Sequence, residues 1–184
     1  WLSWPHNPAT WPGKLKQIEP VYAQFTALIS RDEAVHINVS NSDMEAYAKK
    51  LILMQGGVEE HLFFHYFPTN DAWCLDHGPC ILVLNQNVQA SVEQLPSRVL
   101  LNWEYNAWGG KYPPFDKDQK IPSSIAQYLG LEMYSPGIIM EGGAIETNGQ
   151  GVIMTTTSCL QNPNRNPDLS KSEIESFLQC SSSN

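Results

Sequence analysis

The chain is short of positive charge. Eleven Lys and Arg stand against nineteen Asp and Glu in 184 residues, a formal net charge of −8. A protein that neutralises a row of phosphates needs the opposite balance, so no nucleic-acid partner is expected. An acid excess suits a cationic small molecule, and plain solubility explains it equally well. Long apolar runs are also missing: nothing approaches the ~20 residues that cross a bilayer, and no basic-then-apolar leader is present, so no membrane partner is expected. Cysteine is scarce, with four unevenly spread residues. That does not make a disulfide framework, and the expected compartment is a reduced cytoplasm.

What is present is ordinary for a globular chain. Hydrophobic residues make up 42 % and charged residues 16 %, which excludes disorder and allows a real core. The length favours one domain, and there is no exact repeat or low-complexity tract. The ends are abrupt: "WLSWPH" opens as if inside a strand, and "CSSSN" follows a helix with nothing left to pack on. A piece of a longer protein is expected.

Periodicity gives the elements. A first helix is expected from about Glu19, with Pro20 in its first turn and Val21, Phe25, Leu28 and Ile29 sharing one face as an apolar stripe. "VHINV" (35–39) reads as a strand. Ser42 and Glu45 have capping-box spacing for a second helix that Gly56-Gly57 ends. His61 to Phe67 reads as a buried strand, and Cys80–Asn85 and Arg98–Trp103 as two more. Pro122 opens a short helix that Gly130 closes. "GIIMEGG", "AIETNG" and "GVIMTTT" read as three short strands, and Ser170 with Glu173 caps a last helix with Ile174, Phe177 and Leu178 inside. Helices alternate with strands, so the fold class is α/β.

Between two of those strands lies "PTNDAWCLDHGPC" (68–80). Cys74, Asp76, His77 and Cys80 use zinc-ligand chemistry, but C-x-D-H-x-x-C lacks paired C-x-x-C spacing and no second cluster completes a tetrahedron. A reactive Cys74 needs a nearby cation or a helix N-terminus, and two acids do the reverse. Both cysteines are therefore expected as small buried hydrophobes. A carboxylate clamp fits better. Asp76 can accept paired N–H bonds from a planar cation while Trp73 covers its face or alkyl stem. Glu141 offers a second acid, followed by Gly142-Gly143, where missing side chains let a ligand or another backbone approach. Alternatively, Glu141 simply begins a turn that the glycines complete.

Five blocks in order, "WPHNPATWPG" (4–13), "TNDAWCLDHGP" (69–79), "NAWGGKYPPFDKD" (106–118), "MEGGAI" (140–145) and "NPNRNP" (162–167), resemble the agmatine deiminase and bacterial-type peptidyl-arginine deiminase family across nearly the whole chain. The resemblance implies a pentein fold, a five-bladed α/β propeller, with residues 1–184 as the N-terminal part of that single domain. It implies a hydrolase that needs no cofactor or metal. A Cys thiolate attacks a guanidinium carbon, ammonia leaves, and water hydrolyses the thiouronium. Agmatine becomes N-carbamoylputrescine, a step toward putrescine and polyamines. By motif, Asp76 and Glu141 are the catalytic carboxylates, and Trp73, Asp76 and Glu141 contact a small cationic guanidino substrate. A homodimer is compatible with it.

The chain departs from the family pattern in three places. No His has an Asp two positions later and no Cys follows a His, so the general acid/base and the nucleophile are expected outside these residues. Leu75 stands where the family commonly has Arg before the Asp, which questions how Asp76 is held. Three other readings remain: a peptidyl-arginine or other guanidino substrate, a non-catalytic guanidine- or partner-binding pentein, and a zinc protein using Cys74, His77 and Cys80.

Overall fold

The computed structural model describes residues 1–83 and 98–182. The expected strand residues Leu84 and Asn85 lie outside them. Two compact units are present, Trp1–Cys74 with Pro114–Asp118, and Leu75–Pro113 with Gln119 onward.

The first unit is two βαβ turns of chain. Strand β1 (Leu2–Ser3), helix α1 (Leu15–Ile29), strand β2 (Val35–Asn38), helix α2 (Ser42–Met54) and strand β3 (Leu62–His65) follow in order. The strands form a parallel sheet in the order β1-β2-β3, with Ile37 opposite both Leu2 and Phe64. Parallel neighbours need a crossover, and each helix supplies one. The core joins Trp4, Ala23, Ala27, Val35, Ile37, Val39, Ala48 and Ile52.

Four expectations are corrected here. Helix α1 starts at Leu15, which leaves Pro20 inside it rather than in its first turn. Of its four large residues Ile29 packs against the core, but Val21, Phe25 and Leu28 are 62 %, 49 % and 50 % exposed, whereas Ala23, Thr26 and Ala27 are fully buried. The space under the helix is already filled by Trp4, Ile37 and Ile52, so small side chains are what fit there. The cap of α2 is Asn41, whose side chain accepts from the Met44 N–H at 2.9 Å, one residue before the Ser42–Glu45 pair. Finally, β3 is shorter than expected and only partly buried, because it edges its sheet. On one side of β2 and β3 the rings of Trp1, His36, Phe63, His65 and Phe67 stack, and burial lowers the His65 pKa to about 4.

The second unit begins in a short helix α3 (Cys74–His77) and continues with β4 (Cys80–Val83), β5 (Arg98–Leu101), a tight turn α4 (Ala107–Gly110), α5 (Ile121–Leu129), β6 (Met133–Tyr134), β7 (Ile145–Thr147), β8 (Ile153–Thr155), α6 (Thr157–Leu160) and α7 (Lys171–Ser182). β4 and β5 pair antiparallel, β5 and β6 parallel, and β7–β8 is a hairpin. Pro122 and the left-handed Gly130 bound α5 as expected. The Ser170–Glu173 box is real: the Ser170 N–H donates to Glu173 at 2.8 Å and the Glu173 N–H to Ser170 at 3.3 Å. Leu101, Trp103, Ile138, Met140, Ala144, Leu160 and Ile174 form the core, with Phe177 and Leu178 against it.

"GIIM" is not a regular strand. It is an extended segment joined to Glu104 by one parallel bridge, and β6 takes the place beside β5 that no sequence signal assigned.

The orientation of α1 is testable in urea. Ala27→Leu, which overpacks a filled site, is expected to cost about 1–3 kcal/mol. Phe25→Ala, on the outer face, should stay within ~0.5 kcal/mol. Equal losses from the two would contradict this packing.

Candidate active site

Two carboxylates of the second unit, Asp76 and Glu141, are brought together by the turn Gly142–Ala144. Asp76 sits on α3, half-buried. The backbone N–H of Gly143 donates to its Oδ1 at 3.1 Å, and the Trp108 indole also hydrogen-bonds to its side chain. The two glycines make this approach possible. A Cβ on Gly142 would collide with the carbonyl oxygen of Leu75, and one on Gly143 would lie 2.6 Å from Asp76 Oδ1. The turn reading holds, and the glycines also admit a close approach of backbone. Glu141 opens a turn, and that turn touches another stretch of backbone.

Glu141 itself is 5 % exposed. Its two oxygens take a forked pair of bonds from Arg165, Nε to Oε2 at 2.8 Å and Nη2 to Oε1 at 2.5 Å. The remaining Arg165 nitrogen, Nη1, donates to Asn164 at 2.7 Å. Burial acts to raise the Glu141 carboxyl pKa, but the hydrogen bonds and charge of Arg165 outweigh it and the net direction is down. Asp76 goes the other way. Burial raises it, the Glu141 charge adds to that, and the bonds from Gly143 and Trp108 oppose without cancelling. One carboxylate is thus compensated inside the protein and the other is not.

The turn that carries Trp108 is strained. Ala107 and Trp108 both have positive φ, 51° and 57°, as do Gly109 and Gly110. Non-glycine residues held left-handed are costly and concentrate at functional sites. The Asn106 side chain holds the turn by accepting from the Gly109 N–H at 2.8 Å and donating to the Asn164 carbonyl at 2.9 Å. Asn166 grips the strand-like segment before Glu141 from the other side. Its amide accepts from the Ile139 N–H at 2.8 Å and donates to the Ile139 carbonyl at 2.9 Å.

The chain can now be set beside known proteins. The family model for Porphyromonas-type peptidyl-arginine deiminase matches residues 1–182. This chain belongs to that family. A curated relative from Selenomonas ruminantium, named "putative agmatine deiminase", is 30 % identical over 182 residues, 96 % of this chain and 46 % of its own length. The agmatine deiminase of Enterococcus faecalis is 27 % identical with TM-score 0.82, covering 98 % of this chain and 46 % of that one. The C. jejuni agmatine deiminase solved with substrate bound is also 27 % identical with TM-score 0.82, covering 99 % and 49 %. The chain therefore spans about half the length of the relatives it matches, and its α/β fold is theirs.

Among family features read from sequence, Asp76 and Glu141 meet, while Trp73 belongs to the first unit, where its indole stacks on Trp11 with centroids 5.5 Å apart. The Asn70–Asp71 loop just before Trp73 is fixed by Asp118, which accepts from both backbone N–H groups at 2.7 and 3.3 Å. Burial pushes Asp118 up to about 6. Cys74 is buried as expected, but Cys80 is only half-buried, and burial raises both thiols, the reverse of a ready thiolate. His77 is buried edge-on to Tyr105, and desolvation lowers it to about 4, so it packs as a neutral ring. Among the described residues no three His, Cys, Asp or Glu side chains could hold a metal, which leaves the zinc reading without a ligand set there. Leu75 is exposed, and Asp76 is held by Gly143 and Trp108 with no help from that side chain.

Sequence reasoning missed Arg165, Asn106 and Trp108. The signal was present in "NPNRNP" and "NAWGG", whose Asn, Arg and Gly residues are types that build tight polar turns.

Gly142→Ala is expected to cost about 1–3 kcal/mol, the scale of overpacking against backbone that cannot give way. A thermal or urea midpoint unchanged from the parent would contradict the close approach.

Proposed function

We propose that the full-length protein is an agmatine deiminase, converting agmatine and water to N-carbamoylputrescine and ammonia. The observation that carries this reading is the charge balance of the site. Glu141 is paired with the buried Arg165 guanidinium, whereas Asp76 accepts only from the uncharged Gly143 N–H and Trp108 indole, which leaves its charge for an external cation of the same kind. A carboxylate has about four lone-pair sites, and Gly143 and Trp108 use two of those on Asp76, leaving an edge for the N–H groups of a planar guanidinium. The substrate's permanent charge would in turn stabilise the ionised form of Asp76, which its surroundings disfavour. Glu141 is assigned the second carboxylate role through the lone pairs that Arg165 does not occupy. Trp73 is assigned to the substrate on the motif resemblance alone.

In the proposed chemistry a thiolate from outside these 184 residues attacks the guanidinium carbon. The C–N bond to the leaving amine breaks as that nitrogen gains a proton, and ammonia departs. Water then adds to the thiouronium carbon, the C–S bond breaks, and the thiolate returns. Carboxylates that hold the guanidinium charged keep its carbon electrophilic and favour the transition state over the free substrate. This chain, as the N-terminal half, would contribute part of the clamp and none of the covalent chemistry. Placement in putrescine biosynthesis and a cytoplasmic setting follow from the same reading.

The family's peptidyl-arginine description supports a second reading, with an arginine side chain as substrate. Ammonia release separates the two. The full-length protein should act on agmatine in preference to free arginine or an arginyl peptide, and the 184-residue chain alone should release none. Preference for the peptide would transfer the assignment to the second reading, and turnover by the short chain would overturn the half-site account.

A further inference from the structure

The two carboxylates of the second unit are joined twice. On one path, Gly143, two residues after Glu141, donates to Asp76. The other path runs through both side chains and backbone groups. Arg165 forks onto Glu141 and donates to Asn164, the Asn164 carbonyl accepts from Asn106, Asn106 accepts from Gly109, and Trp108, next in the chain, bonds to Asp76. The ring closes. Its members are packed without slack: a Cβ on Gly109 would collide with the side chain of Asn164 and lie 2.7 Å from Arg165 Nη1. Arg165 is buried, so its charge is not screened by water as a surface ion pair is.

We propose that Arg165 is a positioning residue, whose fork sets the orientation and ionisation of Glu141 and, through Asn164, Asn106 and the Trp108 turn, couples Glu141 to Asp76 as one unit. The inference rests on the guanidine-hydrolase reading for what the unit acts on, but the coupling is a property of these residues by themselves. Lysine cannot substitute at Arg165, because an ammonium places one charge where the guanidinium places two parallel donors. The charged or titratable groups facing the pair are Lys111 and Asp76 on the carboxylate side and Tyr105 and Cys159 on the guanidinium side. None of them presents a second guanidinium fork to Glu141, so losing Arg165 leaves the buried carboxylate with only its own backbone N–H and the Lys111 charge to offset burial.

The test uses the full-length protein with carbon-labelled Asp and Glu side chains, whose carboxyl carbons report titration directly. The Asp76 and Glu141 signals are assigned from Asp76→Asn and Glu141→Gln. In Arg165→Ala the Glu141 titration should move upward, because the burial that Arg165 outweighed is then unopposed. The Asp76 titration should change as well, because both the Glu141 charge that raises it and the Trp108 bond that lowers it depend on the fork. If the activity reading holds, kcat/KM for agmatine should fall about 100-fold, the scale of a misplaced reacting group, mainly in kcat. The acid limb of its pH profile should shift upward as well.

Arg165→Lys should keep Glu141 titrating low yet lose kcat, and Asn106→Ala should shift Asp76 while Glu141 stays in place. Those two variants carry the test where Arg165→Ala does not fold. Unchanged titrations of both carboxylates in folded Arg165→Ala, or parental kcat in Arg165→Lys, would overturn the proposal. A parent protein inactive on agmatine would count against the function assigned above, and the titrations would still decide the coupling.

Discussion

The buried pair between Arg165 and Glu141 is the contact on which the site of the second unit depends. Taking two charges out of water costs several kcal/mol per ion, and attraction offsets that only when geometry is good and every remaining hydrogen-bonding group is satisfied. Here the fork is complete, and Asn164 takes Nη1. Such a pair contributes little net stability. What it does is fix one arrangement, since a shifted Glu141 or a rotated Arg165 would leave a bare charge in the interior.

The surrounding chain is arranged to meet that requirement. Asn166 makes two bonds to Ile139, which holds the segment leading to Glu141 without a regular sheet. Asn106 steadies a left-handed turn that would otherwise relax, and the turn presents Trp108 to Asp76. Gly142 and Gly143 let the backbone after Glu141 come within bonding distance of Asp76. The strain at Ala107 and Trp108 is local, and the polar ring around it accounts for its persistence. Within the first unit, Asp118 pins the loop just before Trp73, and the parallel sheet packs with α1 and α2 around an ordinary core.

Much of this was legible in the sequence. The α/β class followed from the alternation of patterns, the ends of α5 from Pro122 and Gly130, and the capping of α7 from Ser170 and Glu173. Asp76 and Glu141 stood out because an acid beside an indole, and another beside two glycines, suit a planar cation, and the ordered motifs led to the family. The face of α1 was misread because periodicity locates a stripe of large residues but not what already fills the core beneath it. Trp4, Ile37 of the sheet and Ile52 of α2 already fill that space. The role of Arg165 was hidden for a related reason: it lies 24 residues from Glu141, and nothing local joins "NPNRNP" to "MEGG". Long-range pairing of opposite charges is a three-dimensional fact. β6 was invisible because two residues carry no period.

The central claim is that one carboxylate of the pair is occupied by the protein's own guanidinium while the other awaits a foreign one. A crystal structure of the full-length protein with agmatine bound, its nucleophile replaced to halt turnover, tests this directly. The account predicts the ligand's guanidinium against Asp76, with the Arg165 fork on Glu141 intact. Agmatine seated in the fork's place, with Arg165 swung away from Glu141, would contradict it.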